Sequence, residues 1–207
     1  MACALLEHVR FVPRAFASDS APLWERLERR ELPKPLFSSR PEVQRFPDWL
    51  VGDWDASVTF NGFAFPSRTV DKAVVAADTT LPGFTKLSIA FIPDVGSDVR
   101  HALRFVTDRS GGVVEDRAFN LTSVINASLR GDIVEDVEFD AARDPNRATI
   151  SFRRGATNNA ERIELFANAR ESATRPDDGV FFAAESTRQA SCGWALWRAL
   201  LTLTVLR

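Results

Sequence analysis

Apolar and polar residues alternate with a period of two over much of the chain from Trp54 onward. Trp54, Ala56, Val58 and Phe60 alternate with Asp55, Ser57 and Thr59. Leu87, Ile89 and Phe91 follow the same rule, as do Val99, His101, Leu103 and Phe105. Val113 to Phe119 is a further candidate strand. Ile133, Val137 and Phe139 share a parity in the acidic segment 132–139. Ala148, Ile150 and Phe152, then Ile163, Leu165 and Ala167, then Phe181 to Thr187 and Ala199 to Val205 complete the set. Such alternation predicts strands that bury one face. Turn signals separate them: Asn61-Gly62, Leu81-Pro82-Gly83, Gly111-Gly112, Arg130-Gly131-Asp132, Asp144-Pro145-Asn146 and Asp177-Asp178-Gly179. About nine or ten short strands at this spacing predict a mainly β protein, an antiparallel sandwich or barrel. Segment 121–129 fits a helix or a strand equally well.

Upstream the period changes. Ser18-Asp19-Ser20 offers N-caps, Pro22 suits a first helical turn, and Leu23 and Leu27 stand four residues apart. A short amphipathic helix over 21–31 follows. Pro33 and Pro35 end it, and Pro41 and Pro47 prolong the interruption as an extended linker. The expected organisation is an N-terminal extension, 1–45, with weakly packed residues 1–18, followed by a β domain, 46–207.

Composition narrows the function classes. The 207 residues carry a formal net charge of -2 with scattered charges, which argues against a nucleic-acid partner. No run reaches the roughly 18 apolar residues of a membrane-spanning helix. Glu7, His8 and Arg10 interrupt the start, so no targeting leader is recognisable. Sixteen Phe and five Trp supply a large aromatic core or cavity lining. Cys3 and Cys192 alone make neither a disulfide framework nor a Cys-rich zinc site.

Two stretches carry most of the lineage signal. Phe46-Pro47-Asp48-Trp49-Leu50-Val51-Gly52-Asp53-Trp54 places a Gly-x-Trp at the opening of a strand. Asp116-Arg117-Ala118-Phe119-Asn120 follows later. Together with Leu81-Pro82-Gly83-Phe84, the turn Asp144-Pro145-Asn146-Arg147, Arg170-Glu171-Ser172, Pro176-Asp177, Phe181, Phe182 and Glu185, the ordered set resembles an uncharacterised family of cyanobacteria and plastids. The resemblance implies an antiparallel lipocalin-like (calycin-type) β-barrel with a short N-terminal helix. It also implies a plastid location, in stroma or thylakoid lumen. It carries no established reaction. Ser186 to Cys192 and Trp197 to Arg207 depart from the family pattern.

In this reading Gly52 allows a close backbone approach. Trp54 is a largely buried stability residue, with Val58 and Phe60 pointing inward beside it and Arg198 or Arg207 packing over it. Gly52, Trp54, Asp116, Arg117 and Asn120 form a structural signature. No Ser-His-Asp order, phosphate loop or metal cluster is visible, so neither an enzyme, a metal site nor a cofactor is expected. His101, weighed as a haem ligand, reads better as a packed or surface residue. Asn120 and Asn126 sit in chance glycosylation sequons. Glu135, Asp136, Glu138 and Asp140 suggest a solvated strand edge. The expectation is a non-enzymatic binding protein. A small apolar ligand would sit in a barrel lined by Phe60, Phe91, Phe105 and Phe119. The alternative is an accessory or assembly factor contacting a thylakoid protein complex.

Overall fold

A computed structural model describes residues 21–28, 41–59, 98–157, 161–192 and 198–206, with side chains described up to residue 190. The protein is mainly β, with two antiparallel sheets and few helices. The first sheet has β1 (Gly52–Thr59), β2 (Asp98–Thr107) and β3 (Val113–Glu115) in sequence order. The second has β4 (Val134–Glu138), β5 (Arg147–Phe152), β6 (Arg162–Thr174), β7 (Phe181–Cys192) and β8 (Arg198–Leu206), again in order. No ladder joins the two sheets among the described residues. Helix α1 (Leu23–Glu28) precedes the sheets, and α2 (Arg117–Leu129) links the first to the second.

Local chemistry explains the boundaries. Val113 to Phe119 is not one strand. It ends at Glu115 because Asp116 caps a helix, its carboxylate accepting from the Phe119 amide at 3.2 Å. The ambiguous segment 121–129 is therefore helical. It stops at Arg130, in the left-handed region at φ 55°, whose amide donates back to the last turn. Gly52 also departs from expectation. A Cβ there would meet nothing within 4 Å. Its φ of 128° demands glycine, so conformation and not close approach selects it.

In β4 a bulge between Val134 and Asp136 shifts the expected parity. Val134, rather than Ile133, is sealed in the core. Glu135, Asp136 and Glu138 are exposed on this edge strand.

A second bulge organises the centre. On β6, Ile163 and Leu165 pair with Ser191 and Gln189, and Ala167 pairs with Thr187. The register then slips at Asn168, so that Arg170 pairs with Glu185. Directly opposed residues of an antiparallel pair share a face. The inner face of β6 therefore runs Ile163, Leu165, Ala167, Arg170, changing from odd to even at the slip. Val134, Ile150, Phe152, Ile163 and Leu165 form one apolar cluster on this side, covered by Leu121 and Ile125 of α2. Leu50, Phe105, Val113, Phe181 and Ala183 form a second, with the Phe46 ring tilted against Phe105 and Phe181 at 4.8 and 5.6 Å. Each Val, Leu, Ile or Phe among them, fully buried, stabilises by about 1.5–3 kcal/mol. The outer face is covered separately. Leu23, Trp24 and Leu27 of α1 pack on Phe182 and Ala184, and Arg26 forms an ion pair with Glu171.

Trp54 corrects the sequence reading. It pairs with Leu103 and its indole N–H donates to the Leu50 carbonyl at 2.7 Å, yet it stays 39 % exposed, and Val58 43 %. Their parity is the core-facing one of Leu103 and Phe105, but no described element covers this end of the first sheet. Phe60, Phe91, the strand 87–91, residues 1–18, Cys3 and Arg207 lie outside the described residues, as do the side chains of Cys192 and Arg198.

Candidate functional site

The pieces that sequence reading set side by side meet in space. Arg117, at the first turn of α2, points between the sheets and is almost wholly buried. Its Nη2 donates to Glu185 Oε1 at 2.5 Å, its Nη1 to Glu185 Oε2 at 3.2 Å, and Nη1 also reaches Glu115. Arg170 donates from Nε to Glu185 Oε2 at 2.6 Å. Its Nη1 binds Asn146 Oδ1 at 2.8 Å and the Glu42 carbonyl at 3.0 Å, and its Nη2 binds the Pro145 carbonyl at 3.0 Å. The Asn146 amide in turn donates to the Pro41 carbonyl at 2.9 Å. One network thus joins the segment before β1, the turn before β5, strands β3, β6 and β7, and α2. Along β7 it sits between the two apolar clusters.

Two guanidinium groups face two carboxylates, so the buried charge is balanced. Burial pushes the Glu185 carboxyl up, but the charges and hydrogen bonds of Arg117 and Arg170 outweigh it and hold the group below 4.5. Burial pulls the Arg117 guanidinium down, and Glu115 and Glu185 more than reverse this. A carboxylate held ionised by two cations is not poised to exchange protons near neutral pH. The arrangement locks elements together.

The other signature residues have local tasks. Asn120 is buried against the edge of β2 beyond the short β3. It accepts from the Arg104 amide at 2.7 Å and donates to the Arg104 carbonyl at 3.2 Å. One turn on, Ser123 accepts from the Ala102 amide at 3.0 Å. Two helix side chains therefore complete a strand edge in place of a partner strand. Asn126 accepts from the Ile133 and Val134 amides, both at 2.9 Å. Both sequon asparagines are thus engaged inside the fold.

Of the proposed lining residues, Phe105 is sealed in the second cluster. Phe119 lies under the Arg104 guanidinium at 3.9 Å. Arg104 also pairs with Asp53 at 2.7 Å on the exposed side of β1. Neither Phe lines the open part of the inner face. That part is formed by Trp54 and Val58 with Val99, His101 and Leu103 across from them. Sequence reading missed the roles of Arg170, Glu185 and Asn146. The available signal was a charged residue, Glu185, on the inward parity of Phe181, Ala183 and Thr187.

One family pattern, that of a domain of unknown function designated DUF6816, matches residues 40–195. The chain belongs to this family. The DUF6816 match spans every member of the Arg117–Glu185–Arg170 network, from Glu42 to Glu185, and the open face on β1 and β2. No curated protein and no solved structure matches the chain. Among the described residues no group of His, Cys, Asp or Glu could hold a metal ion, and no helix is long and apolar enough to cross a membrane.

Proposed function

We propose that this DUF6816 protein is a lipocalin-like, calycin-type barrel of a photosynthetic cell or plastid that carries a small apolar ligand without catalysing a reaction. The observation behind this reading is the half-open inner face of the first sheet. Trp54 and Val58 share the parity of Phe105, which is sealed in the core, yet they remain exposed. An apolar face left open beside a closed core offers surface on which a small apolar molecule can be buried. Strands that follow one another in order within each sheet fit an up-and-down barrel.

The test is retention. Ligand-free full-length protein, incubated with a cyanobacterial lipid and pigment extract and passed through gel filtration, is expected to carry a small molecule in the protein peak. Val58→Arg, a change at an exposed position, is expected to lose it. Protein that emerges empty from every extract sinks the carrier reading.

A second reading, an accessory factor docking on a thylakoid complex, is favoured by Trp49 and Val51. They are 46 and 47 % exposed on the turn before β1, with Trp49 edge-on to Trp54 at 6.3 Å. It predicts that Trp49→Ala, and not Val58→Arg, weakens co-purification with that complex.

A further inference from the structure

On β2, His101 belongs to the inner face of the first sheet and is half-buried within it, beside the exposed Trp54 and Val58. Val99 and Leu103 flank it along the strand, Ala56 lies opposite, and Trp54 and Val58 lie diagonally across. Its Nδ1 is 3.1 Å from the Ala102 carbonyl. A carbonyl only accepts, so Nδ1 carries the proton, and in that tautomer Nε2 is the ring's acceptor. Nε2 is buried and has no hydrogen-bond partner. Its neighbours on this face supply no donor: four are aliphatic, and the Trp54 N–H is taken by Leu50. A buried acceptor left unpaired is unfavourable, and a donor that reaches it removes that penalty.

We propose that His101 is the polar anchor of this face, and that it selects an apolar molecule bearing a hydroxyl or N–H donor. The inference rests on the carrier reading above and adds the ligand's chemistry to it. The aliphatic neighbours and Trp54 take the apolar body, and His101 Nε2 accepts the single donor.

The probes are 2-naphthol and 2-methoxynaphthalene, which share a ring system and differ in the donor. Each is titrated calorimetrically into the full chain and into His101→Phe. A hydrogen bond to a buried acceptor makes about a tenfold difference in affinity. Relative to the variant, the natural protein is expected to favour 2-naphthol by that factor, while 2-methoxynaphthalene binds both alike. The same preference in protein and variant overturns the anchor and leaves the carrier reading standing. Binding of neither probe by the natural protein overturns both. If His101→Phe does not fold, His101→Leu serves as the reference. If neither folds, the natural protein alone decides, and equal affinity for the two probes overturns the anchor.

Discussion

Glu185 is the residue on which the buried arginines converge. Its two oxygens receive three hydrogen bonds from Arg117 and Arg170, and each arginine is otherwise satisfied by Glu115, Asn146 or backbone carbonyls. Replacing a buried ion cluster by matched apolar groups can be neutral, but removing one partner strands the others. Glu185→Gln leaves Arg170 without a carboxylate partner and Arg117 with Glu115 alone, and is expected to cost about 3–5 kcal/mol, read by urea unfolding at neutral pH. The pH dependence has a definite sign. The folded-state pKa of Glu185 lies below 4.5, so its stabilisation is fully present above that value and is lost as pH falls through the folded value. Unfolding free energy should therefore drop more steeply below about pH 4.5 in the natural protein than in Glu185→Gln. Equal acid slopes would show that the network is not coupled to folding.

Helix α2 works as an element because it does two jobs at once. Leu121 and Ile125, four residues apart, cover the first apolar cluster. Asn120 and Ser123, on another side, hold the backbone edge of β2. Asn120→Ala should leave the Arg104 amide unpaired, while the Arg104 carbonyl keeps the Asp116 amide at 2.9 Å, and cost about 1–3 kcal/mol. The distinguishing readout is hydrogen exchange. The Arg104 amide should lose protection while the β6 and β7 amides follow only the global change. Uniform loss across all strands would mean that Asn120 supports the core generally and not this edge. The helix itself was half legible. Asp116 is a good N-cap by type, but Leu121 to Leu129 shows no decisive period, and what makes it helical is the apolar surface of β4, β5 and β6 beneath it.

Across the molecule, the five-stranded sheet is covered on both faces by different parts of the chain. The inner face meets α2 and the first sheet; the outer face meets α1 through Leu23, Trp24, Phe182 and the Arg26–Glu171 pair. The N-terminal helix is thus part of the packing. A chain beginning at residue 41 should expose the Phe182 face and lose about 2–4 kcal/mol, which lowers the melting temperature by roughly 5–15 °C for a domain of this size. An unchanged melting temperature would show that α1 contributes nothing to the fold.

Much of this architecture is written in local sequence. Period-two runs place β1, β2, β5, β6, β7 and β8, turn residues separate them, and the proline-ended amphipathic stretch places α1, because strand pleat, turn dihedrals and helix periodicity each act over a few residues. That the chain belongs to a family of unknown function is legible too, over residues 40–195. What local sequence does not contain is register and burial. A one-residue slip at Asn168 turns Arg170 to the inner face, where Arg117 from α2 and Asn146 from a distant turn converge on Glu185. No period read along β6 contains that slip. Trp54 has the parity of a core residue and is half open, because parity chooses a face while burial depends on which other element, brought from far along the chain, comes to rest against it.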